Sequence, residues 1–244
     1  MNSERLLQHL DSLYNCAKTQ EGLRIDTSCM LPSFKRVRVF VVQQGERYKV
    51  HDNGCAFQSA WEHGRNDKLI KKALLKEATR FRLKLENEVF VAESVSEEWL
   101  HSAILSVANA ASQSAYNAVD HIVAATEADL AGRIYLALRK VYAQSAITRE
   151  YSLDGNSGKS HRFDYAVGDV EKRLLLIDAV SPHHSSIAHK YTAFSDVKAA
   201  LGSSMMGFAV FDKNLESEDA SLMRQVADLV PISSVSEGAK RALQ

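Results

Sequence analysis

Apolar residues recur at helical spacing from Glu4 to Lys18, where Leu6, Leu7, Leu10, Leu13, Tyr14 and Ala17 predict a first helix. The pattern then shortens. Leu23 to Leu31, Arg36 to Gln43 and Arg47 to His51 are rich in Val, Ile, Thr, Phe and Tyr and are separated by Pro32-Ser33 and Gln44-Gly45, which predicts an antiparallel meander. Asp52-Asn53-Gly54 reads as a tight turn, because Asn and Gly tolerate positive φ and Asp bonds the amides that follow it; a helix is expected to start there. From Asn66 to Arg82 the helical period returns, with Ile70, Leu74, Ala78 and Phe81 on one face and Lys68, Lys72, Lys76 and Arg80 in an i, i+4 column on another. Arg82 to Leu85 and Val89 to Glu93, around Glu86-Asn87-Glu88, predict a closing hairpin.

Ser96 to Ala125 predicts a helix with a stripe of mostly small residues, among them Ala111 and Ala115. Thr126-Glu127-Ala128-Asp129 resembles a capping box with Asp in the fourth place, so a second helix is expected from Glu127 to about Gln144, the two forming a helical hairpin. Beyond Ala146, Ile147 to Leu153, His161 to Val167 and the apolar run Arg173 to Val180 predict strands, followed by a helix over Ser185 to Leu201 and a strand over Met206 to Phe211. A helix over Glu216 to Leu229, a strand over Val230 to Ser233 and a terminal helix complete the pattern. The expected organisation is an α+β domain with an antiparallel meander over 1–93, a helical connector over 94–125, and an α/β domain with a mixed sheet over 126–244.

Composition adds that 45% of the 244 residues are hydrophobic, 25% charged and only 3 are proline, the balance of a folded chain and not of a disordered one. No apolar run approaches the roughly 20 residues of a bilayer-spanning helix, and Met1 to Asp11 lacks the apolar centre of a secretory signal, so a cytoplasmic protein with no membrane partner is expected. Cys16, Cys29 and Cys55 are odd in number and widely spaced, which favours buried free thiols over a disulfide framework or a cysteine zinc site. Net charge is zero, against a chain that coats nucleic acid over its whole surface, yet residues 1–93 carry +4 and 94–244 carry −4. Residues 65–84 hold eight basic and two acidic side chains, so the column Lys68, Lys72, Lys76, Arg80 is either a solvated face or a phosphate contact.

No P-loop, GxGxxG, GxSxG or HExxH occurs, which leaves nucleotide hydrolysis, Rossmann cofactor chemistry and the common hydrolase templates without a motif. Two aspartates stand out instead. Asp164 lies in Arg162-Phe163-Asp164-Tyr165 and Asp178 in Ile177-Asp178-Ala179-Val180, on successive expected strands. Mg²⁺ takes oxygen ligands in octahedral geometry, keeps several waters and is held by one or two carboxylates with a substrate phosphate, so such a pair suits phosphodiester chemistry. His183, His184 and His189, with His161 nearby, lack the spacing of a helical metal pair and read as polar loop residues, one of which is suited to meet phosphate or move a proton beside Asp178.

Helix, strand, strand with Asp164, strand ending in Asp178, helix, strand: over 127–211 this order resembles the core of the restriction-endonuclease-like nucleases, whose motif is written PD-(D/E)xK. Asp164 and Asp178 match its two acidic positions, and Val180 stands where the family has its lysine. The resemblance implies a restriction-endonuclease-like fold, Mg²⁺ on Asp164 and Asp178, and a metal-dependent phosphodiesterase acting on nucleic acid. Lys190, early on the next helix, is the candidate for the displaced lysine, and Glu127 for the acidic residue that some members carry on the preceding helix. The alternative within the same fold is a catalytically inactive protein that binds nucleic acid or a protein partner, as a regulator or inhibitor in phage–host conflict. Leu10 to Glu93, through Ile25-Asp26-Thr27, Leu31-Pro32 and His51-Asp52-Asn53-Gly54, is similar to a domain of unknown function at the N-terminus of bacterial and phage proteins, which implies a prokaryotic or phage setting.

Overall fold

The structure, a computed structural model, describes residues 15–20, 22–170 and 173–242. The chain divides into a first unit ending at Ile122 and a second beginning at Val123.

The first unit is built on a six-stranded antiparallel sheet in the order β1-β2-β3-β4-β6-β5. Its strands are β1 (Asn15–Thr19), β2 (Gly22–Met30), β3 (Arg36–Gln44), β4 (Arg47–His51), β5 (Lys84–Glu86) and β6 (Val89–Val95). The meander and the closing hairpin therefore form as expected. The first helix does not extend to Lys18: Asn15 to Thr19 pair with β2, Asn15 against Asp26 and Thr19 against Gly22, and residues 4–14 lie outside the described residues. A ladder to a neighbouring strand satisfies these backbone groups, which outweighs the weak helical period of the last few positions. Gly22 has φ +132°, and a Cβ there would lie 2.4 Å from the Val41 carbonyl oxygen, so no other residue fits this turn without moving β3.

Along β3, Val37, Val39 and Val41 are buried while Arg36 and Arg38 are exposed, the period of a sheet with one covered face. Helices α1 (Cys55–His63) and α2 (Asp67–Arg80) follow, the second capped by Asn66, whose side chain accepts from the Leu69 amide. Ile70, Ala73, Leu74 and Ala78 are the buried face of α2.

A single 39-residue helix, α3 (Leu100–Leu138), replaces the expected hairpin. Thr126 and Glu127 sit in its interior. Nothing from Ser102 to Ala131 is glycine or proline, so the backbone ladder runs through a segment whose side chains alone would suit a cap. The helix packs Val107, Ala111, Ala115 and Val119 into the first unit, and Leu130, Ile134 and Leu138 into the core of the second.

The second unit holds a mixed five-stranded sheet in the order β11-β10-β9-β8-β7. Strands β7 (Ile147–Asp154), β8 (Ser160–Asp169) and β9 (Arg173–Ala179) are antiparallel, and β10 (Met205–Phe211) and β11 (Asp228–Pro231) run parallel to β9. Helices cover both faces. On one, Leu175 and Ile177 meet Ile134 of α3 and Val235 of α6 (Val235–Ala242); on the other, Leu174 and Leu176 meet Ile187 and Phe194 of α4 (His184–Leu201) and Met223 of α5 (Ser217–Met223). The helix expected to Leu229 is only α5, because Asp228 to Pro231 are taken into the parallel ladder with Phe208 to Phe211. A Cβ at Gly207 would lie 2.9 Å from the Phe194 ring, so glycine there lets α4 lie close on β10.

Candidate active site

The β8–β9 ladder runs from Asp169 opposite Arg173 to Tyr165 opposite Ile177, and Asp164 and Asp178 are the residues that follow its last pair on the two strands. Just beyond that last pair the two carboxyl groups come close enough to interact. There the side chains take over from the backbone: the Asp164 amide donates to Asp178 Oδ1 at 3.3 Å, and the Ala179 amide donates to Asp164 Oδ2 at 2.8 Å.

Asp178 lies on the face of Leu174 and Leu176, towards α4, and Lys190 on α4 meets it with Nζ 2.9 Å from Oδ1. Both are buried, Asp178 at 1% exposure and Lys190 at 9%. The other Asp178 oxygen, Oδ2, is buried without a hydrogen-bond partner. Burial pushes the Asp178 carboxyl up to about 8, assisted by the nearby Asp164 charge and opposed by the Lys190 ammonium. Burial pulls Lys190 down, but Asp178, Asp164 and Glu127 more than offset this and hold its pKa above the ordinary lysine value.

Val180, where the expected motif would have a lysine, is fully buried among Phe194, Leu176 and Met205, and its amide donates to the Val210 carbonyl at 2.8 Å. A lysine there would have to bury its ammonium in an apolar layer. Lys190 brings an ammonium to the same carboxylate from the facing helix.

Glu127 is held by Ser186 at the start of α4: the Ser186 hydroxyl donates to Glu127 Oε1 and accepts from the Ser181 amide at 3.2 Å. Glu127, Asp164 and Lys190 line one cavity of about 990 Å³, while Asp178 lies behind its wall in contact with both Asp164 and Lys190. The four residues singled out in this half of the chain are thus brought to one place by α3, β8, β9 and α4.

The histidines fall into two pairs, His183 with His184 at the start of α4 and His161 with His189 on the cavity wall. His183 caps α4, its side chain accepting from the Ser185 amide, and its ring stacks on His184 at 4.6 Å. His189 lines the cavity, and burial pulls its pKa down. His161 is buried with Nε2 2.8 Å from Asp196 Oδ2, which also accepts from the Ser157 hydroxyl at 2.6 Å. These contacts hold Asp196 low, at about 2, and fasten the β7–β8 turn to α4. Among the described residues no three His, Cys, Asp or Glu side chains gather as a ligand set.

Sequence reasoning missed Ser186, Asp196 and the cations Arg149 and Lys159 on the cavity wall. Serine and aspartate on an amphipathic helix look like solvated positions, and no spacing rule marks a hydroxyl that bonds a helix lying far away in sequence.

In the first unit, Lys68, Lys72 and Lys76 are exposed along α2, as is Arg80, which donates to Gln113 Oε1 at 2.9 Å. Asp52 is a buried hub and not merely a turn residue: Oδ1 accepts from the Phe90 amide at 2.8 Å and the Gly54 amide at 3.3 Å, and Oδ2 from the Ala56 amide at 3.2 Å. Burial and the Asp52 charge push the Cys55 thiol up to about 12, so it is an inert thiol; Cys29 is half-buried, and Cys16 is exposed, contrary to the expectation of burial. Among the described residues no helix is long and apolar enough to cross a membrane.

No protein-family model and no curated protein matches the chain.

Proposed function

We propose that the second unit is a divergent restriction-endonuclease-like domain whose function is metal-dependent cleavage of nucleic acid, with Asp164 and Asp178 as the metal-holding carboxylates and Lys190 as the displaced lysine. One observation carries this reading: Asp164 and Asp178 are joined on neighbouring strands, the Asp164 amide donating to Asp178 Oδ1, with Lys190 2.9 Å from that same oxygen and the other Asp178 oxygen buried without a partner. A buried polar atom left unpaired is costly, and a hard cation is a fitting partner for a carboxylate oxygen. The donor set consists of hard oxygens with an ammonium beside them, which fits Mg²⁺.

A bound Mg²⁺ would lower the pKa of a water and offset charge on the scissile phosphate. The chain's own residues do the rest. Lys190 holds a positive charge beside Asp178, where it orients a nucleophilic water or offsets charge developing on the phosphate. Glu127, fixed by Ser186, presents a carboxylate to the same cavity. Asp164, held by the Ala179 amide, faces the cavity with its position set by backbone and not by a flexible partner.

The test is cleavage of single-stranded and duplex DNA and RNA by the full chain with Mg²⁺ or Mn²⁺, against EDTA and against Asp178→Asn. Metal-dependent products that vanish in the variant support the reading. Their absence on all four substrates moves it to the second one, a silent fold that binds nucleic acid or a protein partner. That alternative draws on a specific feature: Asp178 is 1% exposed, closed on Lys190, and not part of the cavity lining.

A further inference from the structure

Arg149 on β7 is exposed on the wall of the cavity that holds Glu127, Asp164 and Lys190. Its guanidinium carbon lies 4.0 Å from the centre of the Tyr135 ring. Tyr135 stacks in turn on Tyr165 at 5.9 Å, and the Tyr165 hydroxyl is fixed by donating to the Ala131 carbonyl at 2.8 Å. Among the described residues no carboxylate forms an ion pair with Arg149 or with Lys159 on the same wall. The Arg149 side chain also hydrogen-bonds the Tyr165 hydroxyl, so the guanidinium is oriented by an aromatic face and a hydroxyl, and without an ion-paired carboxylate its remaining N–H groups are left for a ligand. Phosphate oxygens match a guanidinium fork in two parallel hydrogen bonds.

We propose that Arg149, held on Tyr135 and assisted by Lys159, forms a phosphate-binding subsite that grips a strand of nucleic acid at a phosphate next to the one presented to Asp164 and Lys190. The inference rests on the nuclease-like reading of the cavity for the identity of the strand. It moves the nucleic-acid contact to the second unit itself, where Arg149 and the carboxylates share one cavity wall. The cavity, at about 990 Å³, has room for more than a single phosphate group. Stacking on Tyr135 means that less side-chain freedom is lost when the phosphate arrives than for a free surface arginine.

The experiment measures fluorescence anisotropy of a labelled oligonucleotide, single-stranded and duplex, with the full chain in EDTA so that no cleavage intervenes, over a series of salt concentrations. Arg149→Ala is expected to weaken binding about tenfold, as removal of one charge-assisted phosphate interaction should. It should also flatten the salt slope by roughly one unit. Arg149→Lys keeps the charge but not the fork and falls between, and Tyr135→Leu weakens binding by freeing the arginine. Because Arg149 is exposed, the variant keeps its fold, which unchanged circular dichroism verifies. Equal affinity and slope for wild type and Arg149→Ala overturn the subsite, as does a wild type that binds neither oligonucleotide. Binding that depends on Arg149 in a protein that shows no Mg²⁺- or Mn²⁺-dependent cleavage leaves the subsite standing and removes the nuclease reading.

Discussion

Lys190 and Asp178 form a buried hydrogen-bonded pair, Nζ to Oδ1 2.9 Å, one residue from α4 and the other from the end of β9. The pair ties the helix to the sheet at the place where the β8–β9 ladder changes from backbone bonds to side-chain bonds. Removing one member of such a pair leaves a buried group without its partner, which is why each of the two single variants has a consequence for stability as well as for chemistry.

Asp178→Ala is expected to lower unfolding free energy by about 3 kcal/mol or more, since it strands a buried ammonium. Lys190→Met costs less, because the acid left behind, already pushed up to about 8, stays protonated with little further change. The double variant Asp178→Leu with Lys190→Met is at least as stable as Asp178→Ala. Urea unfolding of the three variants and the wild type measures this, and an Asp178→Ala chain as stable as wild type contradicts it. In the cleavage assay both single variants lose activity if Lys190 acts as the displaced lysine.

The raised carboxyl of Asp178 also sets a pH dependence. Its folded value, about 8, lies above the ordinary aspartate value, so between these limits the folded chain holds a proton that the unfolded chain has lost. Its contribution to stability is therefore full below about pH 4 and is lost as pH rises towards 8. Asp196, held low at about 2, acts in the opposite sense and loses its contribution only as pH falls from about 4 to 2. Thermal unfolding from pH 5 to pH 9 should show wild type falling more steeply than Asp178→Asn, and cleavage should rise over the same range as the carboxylate ionises. Parallel melting curves for the two proteins would refute the assignment.

Asp52→Ala leaves the Phe90, Gly54 and Ala56 amides without their acceptor, two of them at the start of α1 and one at β6. At about 1 kcal/mol or more for each, a loss of about 3 kcal/mol is expected, with Asp52→Asn milder because it keeps one acceptor oxygen. Chemical unfolding reads the difference, and metal-dependent cleavage per folded molecule should be unchanged.

Lys72→Ala with Lys76→Ala tests the basic column of α2. Both side chains are exposed, so melting temperature should hardly move. If the column meets phosphates, the salt slope of duplex DNA binding flattens by about 0.9 for each phosphate no longer neutralised. Unaltered affinity and slope return Lys68, Lys72, Lys76 and Arg80 to a solvated face.

Short-range period alone was enough to set the alternation of Val37, Val39 and Val41, the buried stripe of Ile70, Leu74 and Ala78, and the apolar run Leu174 to Ile177. These patterns fix which face is buried whatever lies opposite. Asp164, Asp178, Lys190 and Glu127 were legible as candidates because strand order and a family pattern marked their positions. Register, packing and continuity were decided in three dimensions. The Thr126 to Asp129 segment has the side chains of a helix start, yet α3, anchored in a core on either side of it, stays helical throughout. Asn15 to Thr19 have the tail of a helical pattern, yet a neighbouring strand offers partners for the backbone. Ser186 reaches Glu127, and Arg149 lies over Tyr135, only once separate elements have packed. The physical reason is the same in each case: local preferences amount to less than about 1 kcal/mol per residue, and a burial or a ladder partner supplied from a distant part of the chain exceeds them.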